Sequence, residues 1–320
     1  MKMRFNRRQF LKASAVASAV IAPALVESRG AQAQLDTNVP TGPLGPTKDR
    51  LPTGKIGSHE FSRLMLGGNL IGGYAHSREL TYVSPLMKRY NTDAKILETL
   101  ALAETHGINC LNSWVVDGNT HLQHHWKRGG KMKWIAQVRV PNGDLAQVRQ
   151  AADLGAVAIH LTGDAADGLI KEGKIDTIAR VMQLIRELKC MAGVGAHGLN
   201  VIVETEKAKI DPDFYVKTFH SQDYFTAQKP GDTDDVGRHD NSWCRDPEEV
   251  AETMFNVRQP WIAFKVLAAG AIPPQRGFRY AFENGADFIL VGMFDWQVAE
   301  DVAIAKQVLG DLQRLRPWRG

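Results

Sequence analysis

Three histidines stand in or directly after short apolar runs: His160 in 156–161, His197 after 191–196 and His220 after 214–219. Three imidazoles gathered at one point can bind a divalent metal and leave a position open for water or a substrate oxygen, which is Lewis-acid chemistry. Without a metal they can share acid and base work. Lys265 lies inside the apolar run 261–272, where an unpaired ammonium is costly. Such a lysine pairs with a carboxylate, holds an anionic or carbonyl group, or forms a Schiff base. His160, His197 and Lys265 are therefore the expected catalytic residues, and His160, His197 and His220 the expected metal ligands. Asn69, Asn112, Gln137 or Arg139, and Asp295 end other apolar runs and suit hydrogen bonding to substrate hydroxyls, joined by His239 from a polar excursion. Gly270 and Gly292 close the last two runs, where the lack of a side chain lets backbone amides approach a cofactor phosphate.

These residues are far apart in sequence, so a repeating scaffold must bring them together. The runs 61–66, 108–112, 134–138, 156–161, 191–196, 214–219, 261–272 and 285–293 are each too short for a typical helix and apolar on both faces. That pattern suits parallel strands with a neighbour on either side, and parallel strands require helical crossovers. Helical patterns fall between them. In 93–106, Ile96, Leu97, Leu100 and Ala103 share a face; in 175–188, Ile175, Ile178, Val181, Met182, Ile185 and Leu188 do. Gly107, Gly155 and Gly285 each end one helix and immediately precede a strand. Asp246-Pro247-Glu248-Glu249 announces a further helix, with aspartate as cap and proline at the first position. Eight strand–helix units in about 250 residues predict a (β/α)8 TIM barrel over 59–316, with a long loop at 221–245 able to act as a lid. An open doubly wound sheet would carry a G-x-G-x-x-G loop after its first strand; Gly67-Gly68-Asn69-Leu70-Ile71-Gly72-Gly73 lacks that spacing.

The chain has 320 residues and a formal charge of +4, but residues 1–33 hold six basic residues against one acidic. The remainder carries 33 basic and 34 acidic residues, a net charge of −1, so no nucleic-acid footprint is expected. Cys110, Cys190 and Cys244 have no metal-binding or redox spacing, and the two in or beside expected strands read as small core hydrophobes. The N-terminus has a basic region around Arg7-Arg8, an apolar stretch from Ala13 to Val26 and Ala31-Gln32-Ala33 before Gln34. This is the layout of a cleavable export signal, and the stretch is too short and alanine-rich for a stable membrane anchor. Arg7-Arg8 followed by Phe10-Leu11-Lys12 resembles a twin-arginine (Tat) signal. The resemblance implies the Tat translocase as a partner during export, folding before export, often around a cofactor, and a periplasmic or secreted location. Residues 34–58, rich in proline and glycine, read as an extended linker.

Several stretches resemble the aldo/keto reductase superfamily, a barrel family whose members reduce carbonyls with a nicotinamide cofactor. Ile96-Leu97-Glu98-Thr99-Leu100-Ala101-Leu102-Ala103-Glu104-Thr105-His106-Gly107-Ile108-Asn109 is similar to its first helix and second strand. Ala158-Ile159-His160 is similar to the fourth strand with its active-site histidine, and Gly193-Val194-Gly195-Ala196-His197 to the segment around the fifth. The family's other catalytic positions differ. Its aspartate falls on Asn112, its proton-donating tyrosine on Asp117 and its lysine at Gln137-Val138, leaving His160 alone. The resemblance thus implies the scaffold with altered chemistry. The expectation is an exported barrel enzyme acting on a small polar, sugar-like molecule as a metal-assisted isomerase, lyase or hydrolase. Two alternatives are an NADP-dependent oxidoreductase with an atypical proton donor and a non-catalytic periplasmic binding barrel.

Overall fold

A computed structural model describes residues 50–77, 80–116, 119–227 and 244–320. The signal segment 1–33, the linker up to residue 49, Asp117 and His239 lie outside the described residues. A two-stranded antiparallel hairpin, β1 (Thr53–Ile56) and β2 (His59–Ser62), precedes the barrel. Eight parallel strands follow: β3 (Leu64–Gly67), β4 (Cys110–Trp114), β5 (Lys133–Val138), β6 (Ala158–Leu161), β7 (Met191–Ala196), β8 (Phe214–Thr218), β9 (Trp261–Phe264) and β10 (Phe288–Val291). They pair in sequence order, and β10 returns to pair with β3, closing the barrel.

Each strand is apolar on both faces because both faces are covered. Met65, Cys110, Ile135, Ala158, Phe214, Val216, Ile262 and Phe288 meet inside the barrel. Leu64, Leu111, Trp134, Ile159, Val194, Tyr215, Trp261 and Ile289 face the helical layer. The helices Asp93–Thr105 and Ile175–Glu187 bury Ile96, Leu100 and Ala103, and Ile178, Val181, Met182 and Ile185, of the faces read from sequence; in the first, Thr99 is buried and Leu97 is not. Pro247 opens the helix Pro247–Asn256 as expected, but the Asp246 side chain makes no capping bond. The three cysteines are buried and free.

Two expectations need correction. The expected first strand, 61–66, divides: Phe61 belongs to the hairpin and the barrel strand starts at Leu64. The segment read as linker also ends earlier than residue 58, because Thr53–Ile56 is a strand. Ile56 and Phe61 of the hairpin are fully buried in the interior cluster, so the hairpin plugs the N-terminal end of the barrel. The C-terminal segment is tied to the same end. Arg63 donates to Asp287 O and Gly320 O, and Arg316 is almost fully buried with an ion pair to Asp287 at 2.6 Å.

On β7 the glycines are required by packing. A Cβ at Gly195 would lie 2.3 Å from the Leu161 carbonyl oxygen of the neighbouring strand, which cannot yield without breaking the ladder. Gly163, just beyond β6, is equally constrained, with a Cβ there 2.9 Å from the His197 ring. Close backbone approach at these positions lets the His197 ring lie against the end of β6.

Candidate active site at the barrel mouth

The alternation of side chains along a strand places Asn112 on β4, Gln137 on β5 and His160 on β6 toward the barrel interior. Gln137 and His160 are direct partners in the β5–β6 register. The three side chains form one directed chain of hydrogen bonds. Gln137 Nε2 donates to Asn112 Oδ1, Asn112 Nδ2 donates to His160 Nε2 at 3.1 Å, and His160 Nδ1 donates to the Leu161 carbonyl at 2.8 Å. This assigns the His160 proton to Nδ1 and makes the ring neutral. His160 is 3% exposed, and burial pulls its pKa down to about 4. The floor of the mouth is therefore polar and uncharged.

Above the floor, contacts run around the mouth in a closed circuit. Lys265 Nζ lies 3.3 Å from His76 Nε2, which also faces Asn69 Nδ2 at 2.8 Å. Two residues before His76, Tyr74 meets Trp114 edge-on, with centroids 5.6 Å apart. Arg139 stacks 4.3 Å over the Trp114 ring and pairs with Asp164 at 2.7 Å. Next to Asp164, Gly163 abuts His197, whose ring lies 5.3 Å from that of Phe264, and Lys265 Nζ sits 6.0 Å over Phe264. Residues from the ends of β3, β4, β5, β6, β7 and β9 thus enclose the floor triad, as expected for a site at the C-terminal face of a barrel.

Two rim residues are held unusually firmly. His197 has its backbone N–H bonded to Asp167 Oδ2, its carbonyl to Lys217 Nζ at 2.6 Å and its ring Nδ1 to Thr218 Oγ1 at 2.8 Å. Lys217 is 1% exposed, and burial lowers its pKa, opposed by Cys244 and Asp167. Lys265 adopts a left-handed backbone with φ of 59°, which costs a non-glycine residue roughly 1–3 kcal/mol and persists only where surroundings enforce it. The Ala268 N–H bonds back to the Lys265 carbonyl and fixes that turn.

The three expected metal ligands do not form a ligand set. His160 is committed to Asn112 and Leu161, and His197 Nδ1 to Thr218. His220 Nδ1 donates to the Ser221 carbonyl while its Nε2 accepts the Cys244 N–H. Among the described residues no three of His, Cys, Asp or Glu are gathered so as to hold a metal ion. The partners that consume these nitrogens are largely backbone groups, invisible in residue type and spacing. His220 instead anchors the closing end of the long excursion. Asp295 is also elsewhere. As the first residue of the helix Asp295–Gly310, it accepts from Tyr90 Oη at 2.7 Å and Lys95 Nζ at 3.0 Å, outside the circuit around the mouth. Gly292 is exposed just past β10, whereas the expected strand 261–272 stops at Phe264 and Gly270 is exposed in a 3-10 turn, Ala268–Gly270, where it follows Ala268 and Ala269 in a run of positive φ.

Sequence reading missed Trp114, Thr162, Thr218 and Lys217. Lys217 carried the signal used for Lys265, a lysine inside an apolar run, but it lies within β8 with its ammonium bonded to the His197 and Thr218 carbonyls, whereas Lys265 stands past the end of β9 in a left-handed turn. Trp114 and Thr162 were legible as residues two positions beyond Asn112 and His160.

Burial of the two neutral imidazoles predicts their titration. His220, like His160, has its pKa pulled to about 4, by burial and then by the charges of Lys217 and Lys265. Both pKa values lie below the ordinary 6.5, so the unfolded chain binds protons first as pH falls. Their stabilising contribution is complete above pH 6.5 and lost on the way down to about 4, of order 3 kcal/mol per ring. Asp167 and Asp301 act in the opposite sense. Burial raises both to about 6, so each adds stability as pH falls from there toward 3.8. Melting curves therefore superpose opposing effects, and proton NMR of the imidazoles separates them. The His160 and His220 ring resonances are expected to titrate near pH 4, and midpoints near 6.5 would contradict the buried neutral assignment.

The family model described as "TAT (twin-arginine translocation) pathway signal sequence" matches residues 4–24, so the chain is exported through that pathway. Among the described residues no helix is long and apolar enough to cross a membrane. No curated protein matches the chain in sequence. Among solved structures, "Putative aldo-keto reductase from Pseudomona aeruginosa" superposes with a TM-score of 0.56 at 19% identity, over 82% of this chain and 98% of that one. A "monotopic membrane protein (S)-mandelate dehydrogenase" superposes with a TM-score of 0.50 at 12% identity, over 84% and 81%. At these identities the likeness is one of fold. The chain is an exported TIM-barrel protein whose structural neighbours include aldo-keto reductases.

Proposed function

We propose that the protein is an exported enzyme that binds a small, polar, sugar-like substrate in the barrel mouth and performs isomerisation, elimination or hydrolysis. The observation that carries this reading is a neutral Asn112–Gln137–His160 floor beneath a rim that bears Lys265 in an enforced left-handed conformation. In this reading Asn69, Asn112 and Gln137 hydrogen-bond substrate hydroxyls. Lys265 neutralises charge developing on a carbonyl or carboxylate oxygen, where a fixed cation in a partly dry site acts strongly. His76, in contact with Lys265 Nζ, relays its proton. His197, clamped on its N–H, carbonyl and ring, serves as the second acid/base group.

The aldo-keto reductase likeness raises a nicotinamide cofactor as the second reading. Exposed Gly270, in the turn that follows β9, and exposed Gly292, just past β10, favour it as places where backbone could meet a phosphate. The residues around His160 do not fit the family's carbonyl reduction: Asn112 and Gln137 join as two neutral amides where an aspartate and a lysine are expected. Asp295 also puts a carboxylate in the first turn of the helix after β10, opposing an anion there.

The test is turnover by the mature protein on a panel of aldoses, ketoses and their acids, followed by proton NMR with a chelator present and no nicotinamide. Conversion of at least one compound is expected. Conversion only on adding NADP or NADPH would replace this reading by the oxidoreductase, and binding without conversion would replace it by a binding barrel.

A further inference from the structure

Two residues beyond each member of the floor triad stands the next position of the same alternation: Trp114, the last residue of β4, Arg139, one residue past β5, and Thr162, one residue past β6. These three form a second layer on one side of the mouth. Trp114 Nε1 and Thr162 Oγ1 are both buried and have no hydrogen-bond partner among the described residues. Thr162 is the N-cap of the helix Gly163–Lys171, where a threonine ordinarily accepts from the first turn, yet its hydroxyl makes no such bond. A buried polar group without a partner costs free energy, and groups of this kind lining a concave site are the ones a ligand satisfies. Between them lies Arg139, half exposed, one guanidinium nitrogen on Asp164 and its plane stacked on the Trp114 ring.

The chemistry of this layer is one-sided. An indole N–H only donates, a guanidinium only donates, and a threonine hydroxyl can donate. What complements it is a group made of acceptors, above all a planar carboxylate, which a guanidinium recognises through two parallel bonds. Lys265, on the far side of the circuit, is placed for a carbonyl or hydroxyl oxygen of the same molecule. Resting on the reading that the mouth is the substrate site, we propose that Trp114, Arg139 and Thr162 form a subsite for the carboxylate of a small hydroxylated acid, so that the substrate class is sugar acids rather than neutral sugars.

The test uses isothermal titration of the mature protein with D-glucuronate and, as the neutral counterpart, D-glucose. Glucuronate is expected to bind at least about tenfold more tightly than glucose. Trp114→Phe keeps an aromatic face and removes the N–H, and Thr162→Val keeps the shape and removes the hydroxyl. Each is expected to weaken glucuronate by roughly 10–150-fold while leaving glucose within about twofold, the range for losing one bond to a charged group. Equal affinity for the two sugars, or no binding of glucuronate by the unsubstituted protein, overturns the assignment, as does unchanged glucuronate affinity in both variants. If Lys265→Met abolishes turnover while both subsite variants bind glucuronate normally, the subsite is refuted and the mouth remains the site. If turnover survives Lys265→Met while the subsite variants lose glucuronate, the binding layer stands and the catalytic reading fails.

Discussion

Replacing Asp287 by alanine is expected to lower the unfolding free energy by about 3–5 kcal/mol, because it strands a buried guanidinium without its counter-ion. Asp287 is fully buried. Its Oδ2 accepts from Arg316 at 2.6 Å and from the Trp261 N–H at 3.0 Å, and its Oδ1 from the Arg319 N–H at 2.8 Å. One carboxylate thus joins the start of β9, the approach to β10 and the C-terminal segment. Arg316 spends its remaining donors on the carbonyls of Met254, Gly285, Val257 and Gln259, so it has nowhere else to turn when the carboxylate is removed. For a domain of this size the melting temperature should fall by roughly 2–4 °C per kcal/mol. The exposed Lys207–Glu204 pair is the control: Glu204→Gln should cost less than about 1 kcal/mol. Urea denaturation of both variants checks the contrast. A loss below 1 kcal/mol in Asp287→Ala would mean that the segment is not held through this residue.

The barrel was legible because it rests on a pattern that recurs. Strands covered on both faces are apolar throughout, and Gly107, Gly155 and Gly285 all take the left-handed turn that ends a helix before the next strand. The hairpin was not, since Pro52, Gly54 and Gly57 give it the composition of a linker, and only packing shows Ile56 and Phe61 closing the barrel bottom. Within the site, alternation was the reliable guide. It places Asn112, Gln137 and His160 on one interior layer, and it would have added Trp114 and Thr162 to Arg139. The metal triad failed for a different reason. Neighbouring backbone carbonyls and amides claim the imidazole nitrogens of His160 and His220, and no residue-type pattern reports that. Asp295 failed because the chain turns into a helix immediately after β10, and its carboxylate is taken up by Tyr90 and Lys95.

The same geometry separates stability from chemistry at Lys265. Methionine matches the length of its stem and keeps the Cβ that the left-handed backbone already tolerates, so Lys265→Met should leave the barrel standing and remove only the cation beside His76. The loss of a fixed charge at the reacting oxygen is typically worth 10²–10³ in rate. The most direct test of the account is therefore the turnover of Lys265→Met on the best substrate of the panel, measured beside its melting temperature. A fall of roughly a hundredfold or more in kcat/KM with the melting temperature within about 3 °C of the parent is the predicted result. An unchanged rate in a folded variant would contradict the placing of the chemistry at this mouth.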